Sequence, residues 1–431
     1  SVASVATAIP GFVGYTEKGT KDTAIRVESL IDFEEKFGYA CKIAIPDEEN
    51  KINGLEYKLH ESMRLFYANG GGICYVVSVG NYTDAISNIA LETGISMLEP
   101  IDEVTMIVVP DAVSLEIKDL ASVQNAALAQ CLELKDRVAI LDVKDTGNCN
   151  TDATNFRNSI GTKGASYGAA YYPYIKSVYD REINVYDIYK GLELSNQELE
   201  NAQYYAELSE PTEESTLFAK QLMSKPEYAK LVAKIQEQAN LLPPSGAIAG
   251  IYCANDNQRG VWHAPANMSV SGISDINVRI SDKQQGELNE NTSGKCINAI
   301  RAFQGKGILV WGARTLDGLS SEWKYISVRR FFNYVEESIQ ESTAWAVFQP
   351  NDANTWVKVR CQIENFLSNL WRDGALAGST PQEAFYVRVG INQTMTAQDI
   401  LNGYMIVEIG MAAVRPAEFI VLQFSHKLQE S

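Results

Sequence analysis

The stretch Gly305–Phe331, GKGILVWGARTLDGLSSEWKYISVRRF, reads as a strand, a turn, a short connection and the start of a helix. Ile308 to Trp311 is an apolar run closed by Gly312, and Leu316-Asp317-Gly318 supplies turn chemistry. Trp323, Tyr325, Ile326 and Val328 lead into Arg329-Arg330. Apolar residues then recur at Phe331, Phe332, Val335 and Ile339, one face of an amphipathic helix. With no histidine, no cysteine and no pair of carboxylates, this is a stretch for packing and charge rather than catalysis.

Working outward, strands alternate with helices. Ala24 to Val27 reads as a strand, and Ser29 caps a helix that carries Phe33 and Phe37 and closes at Gly38. Leu55, Leu59, Met63 and Phe66 mark a helix ended by Asn69-Gly70-Gly71-Gly72, and Ile73 to Val79 is a buried-type strand. Phosphate loops place their glycines ahead of a helix, so this glycine run is read as a helix end. Further strands are expected at 104–110, 138–143, 169–175, 404–409 and 418–424, with alternation at Phe385, Val387 and Val389. Helices are expected at 116–135, 156–161, 328–346 and 355–373. The pattern predicts a mixed α/β fold with at least partly parallel strands.

At 431 residues the chain has room for two or three domains. A net charge of −17 argues against a nucleic-acid partner, which calls for a basic face. The seven cysteines are odd in number and scattered without a CxxC, which suits a reducing compartment better than a disulfide framework. No apolar run is long enough to span a membrane, and the first residues lack the basic and apolar regions of a signal peptide. Between 193 and 214 lie seven glutamates and no lysine or arginine, followed by Lys220, Lys225, Lys230 and Lys234, so 187–241 is read as a helical, acidic surface insertion.

Catalytic chemistry is not visible. His60-Glu61 is not HExxH, Ser293-Gly294-Lys295 lacks the first glycine of a phosphate loop, and no GxSxG or GxGxxG occurs. Cys253, Asp256 and His263 form a nominal thiol triad, without a recognisable activating environment. No catalytic, cofactor-binding or metal-binding residues are assigned. A soluble α/β enzyme of unknown chemistry with an acidic surface is the rival reading.

The central stretch resembles the C-terminal signature of contractile tail sheath proteins, "WGARTL … W+Y+ … RR" followed by a long helix. Leu242–Gly250 (LPPSGAIAG) is similar to that family's "PPSG…AG" segment. Arg259–Asn267 (RGVWHAPAN) resembles its "RGVWKAPAN" with histidine for lysine, and Arg415–Ile420 (RPAEFI) resembles "KPAEFI". The resemblance is close from Leu242 onward, looser over 20–186 and absent over 187–241. It implies a structural subunit, not an enzyme, without cofactor. Such a subunit is a homo-oligomer in stacked hexameric rings around an inner tube protein, with baseplate and terminal cap proteins as further partners. The sheath contracts to drive the tube through a target membrane without itself inserting. It is assembled in the bacterial cytoplasm as part of a phage tail or phage-like particle.

The implied organisation is an N-terminal arm at 1–19, an outer α/β domain at 20–186, the insertion at 187–241, an inner core domain at 242–417 and a C-terminal arm strand at 418–431. Val2, Val5 and Ile9, with Phe419, Ile420, Val421, Leu422 and Phe424, are expected to pair with neighbouring subunits as added strands, because an apolar strand left as a free edge aggregates. Arg329, Arg330, Lys358 and Arg360 are expected to meet the tube.

Overall fold

The computed structural model describes residues 2–46 and 51–423. In chain order these form β1 (Pro10–Gly14), β2 (Ala24–Val27), α1 (Leu30–Phe37), α2 (Leu59–Ala68), β3 (Cys74–Ser78), α3 (Asn88–Ser96), β4 (Met106–Val108), α4 (Ile117–Leu134), β5 (Val138–Asp142), α5 (Cys149–Ser159), β6 (Gly168–Tyr172) and β7 (Ile175–Ser177). Four helices follow, α6 (Val185–Ile188), α7 (Asn196–Ala206), α8 (Glu213–Met223) and α9 (Pro226–Ala239). Then come β8 (Leu241–Leu242), α10 (Ser245–Arg259), β9 (Met268–Ser269), β10 (Ile273–Ile276), α11 (Asp282–Asn289), β11 (Ile297–Phe303), β12 (Gly307–Trp311) and α12 (Ile326–Ser342). The chain continues through α13 (Ala353–Arg372), α14 (Pro381–Ala384), β13 (Phe385–Val389), α15 (Ala397–Leu401) and β14 (Val407–Met411).

Two compact units result. The larger holds residues 4–261 and 265–337, and the smaller is built mainly on 338–423. The larger is organised by a nine-stranded sheet in the order β2-β3-β1-β4-β5-β6-β11-β12-β9. From β3 to β11 neighbouring strands run parallel, while β2, β12 and β9 add antiparallel edges. Parallel strands need both faces covered, and residue alternation shows how. Val13, Leu141 and Tyr172 enter one core with Leu91, Ile95, Val123 and Leu128 of α3 and α4. Their neighbours Phe12, Asp142 and Tyr171 turn the other way, onto Phe66 of α2 and onto Ser245 and Tyr252 of α10.

The Gly246-x-x-x-Gly250 spacing lets α10 lie against α2. A Cβ at Gly246 would stand 2.6 Å from Ser62 O, and one at Gly250 would collide with Phe66 O. Helices α6 to α9 bury two smaller cores: Ile43 and Ile45 from the segment after α1 join Ile188, Ile235 and Ala239 in one, and Val185, Tyr189, Leu192, Ala202 and Leu222 form the other. Ser195 and Thr212 close capping boxes at the starts of α7 and α8. In the smaller unit, α13 packs on β13 and buries Val359, Ile363, Phe366, Leu367 and Leu370.

Three expectations are corrected. The 1–19 segment is not an arm throughout, because Pro10–Gly14 is a wholly buried strand in the middle of the sheet, between β3 and β4. The expected division at 242 is not a fold boundary: Ile297–Ala299 pair with Ala170–Tyr172, so strands from both sides of it share one sheet. No strand forms over the described part of 418–424, since without a partner strand this segment has nothing to pair with. Smaller shifts are the helix expected at 156–161, which spans Cys149–Ser159, and the strand expected at 404–409, which runs Val407–Met411.

Candidate interaction surfaces

The signature stretch is a packed brace. Asn298 on β11 grips Arg314 by both backbone groups, donating to Arg314 O and accepting from Arg314 N, each at 2.8 Å. Its Cα would lie 3.0 Å from a Cβ at Gly312, which is why glycine follows Trp311. The buried Arg314 guanidinium donates to Asn289 O at 3.0 Å, and the Thr315 hydroxyl donates to Trp323 O at 2.6 Å. Arg314 and Thr315 of the WGART motif thus each satisfy a backbone carbonyl.

The two arginines behave the same way: both are buried within the chain, where an exposed contact with the tube was expected. Arg329 is buried between the rings of Trp323 and Tyr167, its guanidinium 3.9 and 4.4 Å from their centroids, and donates to Asn333 Oδ1. Arg330 makes a two-pronged pair with Asp256 at 2.9 and 2.6 Å, both side chains 3% exposed, and lies over Tyr252. Its other donor contact is Thr7 O at 3.3 Å. The physical reason is desolvation: a fully buried guanidinium is tolerated only when paired and stacked. Lys358 and Arg360 lie on the outer face of α13 instead. Lys358 is exposed, and Arg360 is 42% exposed with Glu364 3.9 Å away.

The chain ends differ. Val2, Val5 and Ile9 precede β1 in an extended stretch without assigned strand, all three half-buried. Ile9 O accepts from Thr105 N, and Ile9 N donates to the Thr105 hydroxyl oxygen, each at 2.9 Å. At the other end Phe419, Ile420, Val421 and Leu422 are 65–82% exposed, while Phe424 lies outside the described residues. In the same unit β13 and β14 form a two-stranded antiparallel sheet from Phe385↔Met411 to Val389↔Val407. Among the described residues no other strand pairs with either. Tyr386, Leu401, Tyr404 and Ile406 are exposed around it. The alternation at 385–389 signalled β13, but not that the sheet would stop at two strands.

Sequence reasoning also missed two buried carboxylates. Asp111 accepts from the backbone of Tyr15 at 2.7 Å and of Lys58 at 2.5 Å, and Asp142 accepts from Ser245 N at 2.9 Å and Oγ at 2.5 Å. Burial pushes both up to about 7. Each staples a strand end to a neighbouring element; nothing in the local sequence marks them. The nominal triad has no activated nucleophile, because burial pushes the Cys253 thiol up to about 12 and Asp256 is occupied by Arg330. Asp102, Asp136 and Glu337 bring carboxylates together, but such acidic groupings are common at surfaces, and Asp136 is paired with Arg137 at 2.8 Å. Among the described residues no helix is long and apolar enough to cross a membrane.

The described residues thus form a braced α/β body and a small unit whose sheet has two strands. Residues 77–316 match the phage tail sheath protein central domain and residues 320–427 the phage tail sheath C-terminal domain. The chain belongs to the phage tail sheath protein family. The tail sheath protein of Vibrio phage KVP40 is 23% identical over 192 residues, 44% of this chain and 27% of that protein. A putative prophage major tail sheath protein of Pseudomonas aeruginosa strain UCBPP-PA14 is 24% identical over 180 residues, 42% of this chain and 45% of its own length. The chain therefore spans less than half the length of these curated relatives. Among solved structures, the sheath of the PVC extracellular contractile injection system in its contracted state is 31% identical with a TM-score of 0.67, covering 99% of this chain and 94% of that one. The helical sheath of the anti-feeding prophage, also contracted, is 30% identical with a TM-score of 0.69, covering 99% and 95%.

Proposed function

We propose that this chain is the repeating subunit of a contractile sheath. Its copies stack as hexameric rings around an inner tube, join a baseplate below and a cap above, and shorten to drive the tube through a target membrane. The observation that carries this reading is the β13–β14 sheet, with no further strand among the described residues, in the same unit as the exposed run Phe419–Leu422. A two-stranded sheet is marginal in water, and an exposed apolar strand former aggregates unless another chain covers it. Strand addition between copies completes both, with backbone hydrogen bonds supplying affinity. Val2, Val5 and Ile9 serve as the second donor, now limited to the residues ahead of β1.

Solved relatives in helical, contracted sheath and in a sixfold-symmetrised baseplate support the ring and the contraction. Contraction is then a passage between two packings of one assembly, driven without a nucleotide step by interface energy stored when the particle is built in the bacterial cytoplasm. Identity of 30–31% over 99% of the chain to injection-system sheaths, against 23–24% over under half of it to phage proteins, favours an extracellular phage-like particle over a virion. Lys358 and Arg360 on α13 meet the tube through exposed charge pairs, weak singly and additive over many copies. The family is structural, so no catalytic role is assigned.

Electron microscopy of the purified full chain tests the reading. Tubes or stacked rings are expected, and removal of residues 416–431 should leave a folded subunit that forms neither. Ordered tubes from that truncation would sink the strand-addition account.

A further inference from the structure

Ahead of β1 the chain is extended; Ile9 O still accepts from the Thr105 backbone at 2.9 Å, but further toward the terminus the backbone is met by side chains of its own chain. Ile9 N donates to Thr105 Oγ1 at 2.9 Å. The Cys253 thiol reaches Ala8 O at 3.6 Å, and Arg330 donates to Thr7 O at 3.3 Å. At the tip, Ala3 N donates to the Ser342 hydroxyl at 3.0 Å, and that hydroxyl lies 3.5 Å from Ala3 O. Ser342 is the last residue of α12.

We propose that the free subunit stows its N-terminal segment on its own chain, with Ser342 as the latch, and that this contact restrains assembly. The proposal rests on the reading of residues 2–9 as an arm. The backbone groups of Ala3 cannot bond Ser342 and a neighbouring strand at once, so stowage and strand addition compete. A single hydroxyl serves one N–H and one C=O, whereas a strand offers a ladder. A lone neighbour meeting the arm must first displace an intramolecular contact at high effective concentration. A ring that already presents many open edges repays that displacement several times over. Stowage therefore favours growth on an existing ring over spontaneous polymerisation. In population terms, the stowed state reduces the assembly-competent fraction and so raises the concentration at which free subunits polymerise.

The latch and the arm predict effects of opposite sign. Ser342→Ala in the full chain should lower the concentration at which purified subunits polymerise by about two- to tenfold, the range of one net hydrogen bond. An unchanged or raised concentration overturns the proposal. A second variant, Ala3→Cys with Ser342→Cys and the exposed Cys361→Ser, should stay dispersed when oxidised and polymerise when reduced. Oxidised protein that polymerises with the disulfide intact also overturns it. Where that variant fails in both redox states, Ser342→Ala alone decides. Deletion of residues 2–8 separates the two layers. A deletion that polymerises like the full chain removes the arm reading and stowage with it. A deletion that blocks polymerisation while Ser342→Ala changes nothing removes stowage alone.

Discussion

Pro10–Gly14 and Phe419–Leu422 look alike on paper, short apolar runs near the two ends of the described chain, and they meet opposite fates. The first is wholly buried between two parallel neighbours; the second stands 65–82% exposed, with no strand beside it among the described residues. The difference lies in what the rest of the chain provides. Leu98 and the Asp111 carboxylate leave room beside β1 only for glycine, each 2.6 Å from a Cβ placed at Gly11 or Gly14, and Asp111 holds the Tyr15 amide just beyond. No comparable slot accompanies 419–422 among the described residues. An apolar run is a demand for cover, and only the fold says whether the same chain supplies it.

The sharpest way to break that contrast is truncation. Removing residues 2–14 takes out a central strand, so cooperative thermal unfolding and soluble yield should be lost. Removing 2–8 should leave the melting curve close to that of the full chain. Next in size is Asp256→Ala, which strands the buried Arg330 charge and should cost about 3–5 kcal/mol in denaturant titration. Gly14→Val should cost about 1–3 kcal/mol, because its side chain must displace Asp111 and Leu59.

Asp111 gives a pH test of the same strand. Its folded value, about 7, lies above the ordinary carboxylate value of 3.8 because burial disfavours the charge. The folded state therefore holds a proton that the unfolded state releases. The stabilisation is complete below pH of roughly 4 and lost as pH rises toward about 7, at no more than about 1.4 kcal/mol per unit. Asp111→Asn should make the stability–pH curve shallower over that window; an unchanged slope would show that the carboxyl is not the titrating group.

The smallest effects on stability belong to the exposed end and face. Ile420→Asp should change unfolding by less than about 0.5 kcal/mol yet abolish tubes seen by microscopy. Lys358→Glu with Arg360→Glu should be equally mild, with sheaths that polymerise alone but no longer copolymerise with tube in moderate salt. Normal copolymerisation would move the tube contact elsewhere.

Much of the fold was legible in the sequence. Ala24–Val27 and the Ser29-capped helix fall where the pattern put them, because cap, turn and alternation are local signals. The Trp-Gly-Ala-Arg-Thr and Arg-Arg residues announced their importance but not their purpose. Charge on paper suggested a partner surface, and tertiary packing gave Arg329 two aromatic rings and Arg330 a buried aspartate. The buried carboxylates left no trace, since their donors come from residues far away in sequence, Ser245 for Asp142 and both Tyr15 and Lys58 for Asp111.

By itself, then, the sequence determined the periodic elements, the α/β class and membership of the family, all of which depend on residues near one another in the chain. Only the tertiary structure decided which apolar segment is a central strand and which is left uncovered. It alone decided which arginines are structural, and that strands from both sides of residue 242 share a sheet. Those outcomes depend on pairings between distant residues, and whether a buried charge or an open edge is satisfied is a property of the space around it.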